Sequence, residues 1–124
     1  MGQSQRDMRA ALQRRSEIEI TVKGRNSGRS YSYPVWFVLE GEALYLLPVR
    51  GTETGWYKNL RQAPTLQVRA GQQALTANVR LIEDQSRVAA IAERFREKYG
   101  ASQIQTYYPL INVAVEVPLT GRPG

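Results

Sequence analysis

The segment KGRNSGR, residues 23–29, packs three cations, two glycines and a serine into seven positions. Glycine lets the backbone approach a ligand and turn its N–H groups inward, while Ser, Lys and Arg meet phosphate oxygens. A small anion site can be built this way without a helix. The same composition also makes an ordinary solvated hairpin turn, and both readings stand at this point. A second stretch, PVRGTETGWYKNL (48–60), places a cation, a flexible loop and a Trp-Tyr pair side by side. A flat aromatic ligand would use Trp56 and Tyr57 as one wall of a slot, with Arg50 and Thr52 against its polar edges or a phosphate. The plain alternative is aromatic packing against a sheet. Tyr99, Tyr107 and Tyr108 form a third group, whose hydroxyls could serve a substrate mouth as donors or weak acids, or simply fill space.

Two absences limit the chemistry. The 124 residues contain no cysteine and no histidine. Thiolate nucleophiles, disulfides, Fe–S clusters and thiolate zinc sites are thereby excluded. So are Ser-His-Asp hydrolysis and histidine-ligated zinc. The acidic residues are scattered, without D-x-D spacing, so no metal site is expected. An enzyme built from this sequence takes its reactive group from a cofactor. The net charge of +6 favours an anionic partner.

These residues need elements to hold them. EIEITVKG alternates at Ile18, Ile20 and Val22 and reads as a half-buried strand. YSYPVWFVL is a second, with Pro34 expected at an edge, a bulge or a strand start because it lacks an N–H. ALYLLPV is apolar enough to be buried on both faces. GWYKNLRQAP suits one or two helical turns stopped before Pro64, and TLQVRA with ALTANVRLIE reads as a hairpin across GQQ. Residues 84–99 carry the helical spacing Val88, Ile91, Ala92, Phe95, Tyr99, closed by Gly100. A polar connection through Tyr107, Tyr108 and Pro109 leads to the last strand, INVAVEVPL.

Six strands in antiparallel order, without βαβ alternation, predict a mainly β fold: a six-stranded barrel with short flanking helices. Residues 1–16 read as a helical extension whose thin apolar stripe (Met8, Ala11, Leu12) predicts weak docking. Residues 17–119 form the barrel domain and 120–124 a loose tail. No run is long enough to span a bilayer and no secretory h-region opens the chain, so a cytoplasmic location is expected. Peripheral membrane contact stays open.

GRNSGR, YPVWFV, the EGE turn, LYLLPVRG, WYKNLRQAPTLQV and VAVEVPL occur in an order that resembles the deazaflavin-dependent nitroreductases of the FMN-binding split-barrel superfamily, which also holds the pyridoxamine-phosphate-oxidase-like proteins. The resemblance spans roughly residues 17–119. It implies a six-stranded split β-barrel, usually dimeric, that binds the deazaflavin F420 and passes a hydride to a small quinone-, nitro- or enone-like acceptor. By position it implies that Arg25, Asn26 and Ser27 contact the phosphate-bearing tail, and that Tyr31, Pro34 and Trp36 lie beneath the ring. It likewise implies that Pro48, Val49 and Arg50 meet ring and tail, and that Trp56, Tyr57 and Asn59 complete the slot. Tyr107 and Tyr108 correspond loosely to substrate-side tyrosines. Asn26 and Tyr31 stand where such proteins often carry basic residues, which keeps FMN as the alternative cofactor. Flavin or F420 binding without turnover is a second reading. Single-stranded nucleic-acid binding is a third, disfavoured because the arginines are dispersed and Trp36 and Phe37 lie within an apolar run.

Overall fold

The computed structural model describes residues 2–119, with side chains from residue 6 onward. The expected loose tail at 120–124 lies outside the described residues. Ile18, Ile20 and Val22 alternate inward in strand β1 (Ile18–Lys23), as their spacing predicts. Around it lie β2 (Ser30–Val35), β5 (Thr65–Ala70) and β6 (Gln73–Asn78), in the antiparallel order β2-β1-β5-β6. A second antiparallel sheet joins β3 (Val38–Glu40), β4 (Ala43–Leu46), β8 (Ala114–Pro118) and β7 (Arg80–Ile82), in the order β3-β4-β8-β7. The two sheets do not close on each other. This is a split barrel, flanked by helices.

The six expected strands become eight because two of them bend from one sheet into the other. YSYPVWFVL breaks at Trp36 and Phe37 between β2 and β3, and ALTANVRLIE breaks at Val79 between β6 and β7. Corners of this kind let one continuous run serve both sheets. Pro34 sits on the edge strand β2 opposite Glu19, where a missing N–H costs no ladder bond.

Alternation in β4 divides the protein into two cores. Leu44 and Leu46 face the barrel interior with Ile20, Val68, Val115 and Leu60. Ala43 and Tyr45 face the opposite way, onto α3 (Gln85–Tyr99), where Val88, Ile91, Ala92 and Phe95 bury one helical stripe. The strand is therefore buried on both faces, as its composition predicts.

Two helical segments depart from expectation. α1 (Gly2–Gln13) does not dock weakly: Met8 and Leu12 are 3% and 1% exposed within the barrel core. Full burial of such a side chain contributes about 1.5–3 kcal/mol, so two suffice where a broad stripe is lacking. The polar connection after Gly100 is a helix, α4 (Ala101–Tyr107), pinned by buried Ile104. Helix α2 (Gly55–Gln62) ends before Pro64, as read. Among the described residues no helix is long and apolar enough to cross a membrane.

Candidate functional site

A cleft of about 610 Å³ opens where the end of β2, the segment after β4, the start of α2 and the end of α4 meet. Val35, Trp36, Leu47, Val49 and Trp56 make its apolar walls, and Glu17, Arg50, Glu53 and Thr54 are its polar edge. Tyr33 and Gly55 line this cleft and also a smaller hollow of about 230 Å³, so the two are neighbours. The hollow is walled by Gly24, Arg25, Asn26, Ser27, Tyr31 and Asn59. The main cleft falls within the range of small-molecule and cofactor sites.

The hollow takes its shape from the KGRNSGR turn. Gly28, at φ +73°, donates to the Gly24 carbonyl, and the Gly24 N–H donates to the Arg29 carbonyl. A side chain at Gly24 would run into the Tyr31 ring at 2.5 Å. Tyr31 and Ser27 hydroxyls meet at 3.2 Å, and Ser27 Oγ accepts from the Arg29 N–H. Arg25 folds back over α2: its Nη1 donates to Asn59 Oδ1 at 2.8 Å and reaches the Gly55 carbonyl at 3.4 Å.

The other anchor is the segment from Arg50 to Thr54. The Arg50 N–H donates to Thr54 Oγ1 at 2.7 Å, and Arg50 forms a parallel bridge with Leu110. Gly51, at φ +55°, lies so tightly against Asn112 that no Cβ fits. Asn112 Oδ1 accepts from the Thr52 N–H, and its Nδ2 donates to Thr52 Oγ1. Among the described residues neither Arg25 nor Arg50 is in an ion pair.

Trp36 organises the aromatic side. Its ring stacks on Tyr99 at 4.4 Å and 8°, with Tyr107 edge-on at 5.8 Å and Tyr108 tilted at 6.0 Å. Tyr108 is buried and its hydroxyl is pushed well above the ordinary phenol range, by burial first and the nearby Tyr99 second. It can donate a hydrogen bond but is a poor acid. Tyr107 is 54% exposed at the rim.

Of the residues singled out in the sequence, Arg25, Asn26, Ser27, Tyr31 and Asn59 line the hollow, and Pro34, Trp36, Val49, Arg50, Trp56, Tyr107 and Tyr108 line the cleft. Pro48 and Tyr57 line neither. Tyr57 points into the barrel core, fully buried, and its hydroxyl has no hydrogen-bond partner among the described residues. Its neighbour Trp56, also buried in that core, lines the cleft as well, because successive helical residues point about 100° apart. Tyr99 supports the cluster from behind, through Trp36.

Sequence reasoning missed Tyr33, Val35 and Asn112. The first two were recoverable, since residues 31, 33 and 35 share one face of a strand. Asn112 carried a fainter signal, a lone amide inside the apolar run LINVAV.

Residues 9–116 match the model of a family described as "Uncharacterized protein conserved in bacteria (DUF2255)". The chain belongs to this family. No curated protein matches it. Among solved structures it is similar to an F420-H2-dependent reductase, FDR-A, at 23% identity and TM-score 0.65, over 83% of this chain and 94% of that one. A candidate pyridoxamine 5'-phosphate oxidase from Listeria innocua superposes at TM-score 0.67 and 17% identity, covering 91% and 90%. HutZ, the heme storage protein of Vibrio cholerae, does so at 0.70 and 16%, covering 96% and 90%. At these identities the likeness establishes the split-barrel fold.

Proposed function

We propose that this protein is a reductase that holds a planar flavin-type cofactor, F420 in the first instance and FMN as the alternative, and serves a small-molecule acceptor. One observation carries the reading: an aromatic, apolar cleft adjoins, across Tyr33 and Gly55, a hollow walled by a glycine-rich turn and an arginine in no ion pair among the described residues. That is the division of a ring from its phosphate-bearing tail. When bound, the deazaflavin would supply a hydride to a quinone-, nitro- or enone-like acceptor. Trp36, Val49 and Trp56 would hold the ring and exclude water, and Arg50 would meet its polar edge. Arg25 and the N–H groups of Asn26 and Ser27, the two in the turn with no partner among the described residues, would hold the phosphate. Tyr107, exposed at the rim, would hold or deliver a proton, and Tyr108 would serve as a hydrogen-bond donor.

The large hydrophobic side chains left exposed among the described residues are Tyr31, Val49, Tyr107 and Leu110. Tyr31 lines the hollow, Val49 and Tyr107 line the cleft, and Leu110 pairs with Arg50, so all four lie around these two neighbouring cavities. We take this rim as the contact of a homodimer in the cytoplasm; sedimentation giving only the monomer mass at micromolar concentration would refute it.

Fluorescence titration with F420 and with FMN tests the cofactor. Saturable F420 binding, followed by oxidation of the reduced form on adding a quinone or nitro compound, is the expected result. Binding without oxidation would leave a carrier rather than a reductase. No binding of either ligand would remove the reading.

A further inference from the structure

Asn59 is the one polar side chain buried among the described residues, at 5% exposure. A buried amide is costly unless its groups are bonded, and half of this one is. Oδ1 accepts from the Arg25 backbone N–H at 3.1 Å and from Arg25 Nη1 at 2.8 Å. Both partners are donors, so the oxygen must face them and the orientation of the amide is fixed. The NH₂ group therefore turns away from Arg25. It has no hydrogen-bond partner among the described residues, yet it is not fully enclosed: the Tyr57 hydroxyl is the unpaired side-chain group that is. Asn59 lines the 230 Å³ hollow beside Arg25, Asn26 and Ser27.

Neutrality is the other half of the arrangement. An aspartate here would brace Arg25 equally well and would cancel its charge. Asn59 fixes the guanidinium and the turn while leaving a full positive charge beside the hollow. No carboxylate among the described residues pairs with Arg25.

We infer that Asn59 makes the hollow an oxyanion receptor, in which it positions Arg25 without neutralising it and presents its own buried N–H to a phosphate oxygen. Discrimination between phosphorylated and unphosphorylated forms of one ring system then resides at this residue. The inference rests on the proposed flavin-type site for the identity of the ring, and on the hollow's own residues for the phosphate.

The test compares FMN with riboflavin, or F420 with its phosphate-free deazaflavin core, on the wild type, Asn59→Asp and Asn59→Ala, with melting temperatures alongside. The wild type should prefer the phosphorylated ligand by about tenfold or more, as expected when charge-assisted bonds to an anion are gained. Asn59→Asp is nearly isosteric and keeps both bonds to Arg25. It should melt no lower and lose the preference, the affinity for the phosphorylated ligand falling to that for the phosphate-free one. Should it not fold, Asn59→Ala must lose the preference instead. A preference that survives substitution overturns the inference, as does equal wild-type affinity for the two ligands. If neither ring ligand binds the wild type, the flavin reading fails by itself. Inorganic phosphate, followed by the amide NMR signals of residues 25–27, then decides. Saturable shifts in the wild type that vanish in Asn59→Asp uphold the receptor; equal shifts in both, or none in the wild type, overturn it.

Discussion

Arg50 and Tyr57 show how far a residue type can be trusted before its surroundings are known. Arg50 reads from sequence as the cation after a strand, and it stands at the cleft's polar edge, exposed and tied down only through its backbone. Among the described residues its guanidinium has no hydrogen-bond or ion-pair partner. Arg50→Ala should therefore weaken cofactor binding by roughly tenfold or more with an unchanged melting temperature. An unchanged dissociation constant would remove Arg50 from the site. Tyr57 reads as an equal partner of Trp56 and is the opposite case, a core residue with an unpaired buried hydroxyl. Leaving such a group unbonded costs about 1–3 kcal/mol. Tyr57→Phe removes the hydroxyl and keeps the ring, so it should raise the denaturation midpoint or leave it, with ligand affinity intact. A clear loss of stability would mean that the hydroxyl has a partner after all. Composition marks Trp56 and Tyr57 alike and both pack in the barrel core; only the helix phase brings Trp56 to the cleft as well.

At the scale of elements, what was legible was what a local period encodes. β1, the β5–β6 hairpin and α3 each bury a face that a single repeat of two or 3.6 residues already describes. The corners at Trp36-Phe37 and Val79 were not legible, because nothing local distinguishes a strand that continues from one that changes sheets. The Phe37 side chain goes to the barrel core while Trp36 goes to the tyrosines, a division made by distant partners. α4 was hidden for a related reason: in ASQIQTY a single apolar residue, Ile104, anchors seven positions. The candidate site was legible as two stretches and illegible as two adjoining cavities, since Tyr33 and Gly55 bring them side by side only in three dimensions. The turn at Gly51 makes this concrete. Its positive φ and the Asn112 side chain packed against it shape the segment that carries Arg50. Gly51→Ala forces both strain and collision, a cost of about 1–3 kcal/mol. A melting temperature lower by several degrees, together with weaker ligand binding, is expected. If calorimetry and titration both match the wild type, the turn does not set the position of Arg50.

For the whole molecule, the junction to watch is the one tyrosine that ties three regions together. The Tyr99 hydroxyl, at the end of α3, lies 2.7 Å from the Ser16 carbonyl beyond α1 and 2.9 Å from the Phe37 carbonyl at the corner between sheets, and it accepts from the Phe37 N–H at 3.1 Å. Lys98 adds a bond to the same Phe37 carbonyl, with its ammonium over the Phe37 ring. Burial drives the Tyr99 hydroxyl up to about 12 from 10.0, partly opposed by its bond to Phe37 and reinforced by the charge of Glu17. The sign follows from proton linkage. Between these two values the unfolded chain has lost this proton while the folded chain keeps it, so the folded state binds more protons and stability falls as pH rises. Tyr45, Tyr57 and Tyr108 are displaced in the same direction, each chiefly by burial, and add to the slope. Stability should thus hold up to about pH 10 and drop towards pH 12. Tyr99→Phe should be the less stable protein at pH 8, by about 1–2 kcal/mol, because the Phe37 N–H at the corner loses its acceptor. Yet it has one fewer proton to defend, so its stability should fall less steeply and the two curves should converge on the alkaline side. Urea unfolding at intervals from pH 8 to 12 distinguishes this from a purely mechanical role for Tyr99. Parallel curves would show that the hydroxyl braces the corner but that its ionisation is not what opens the barrel.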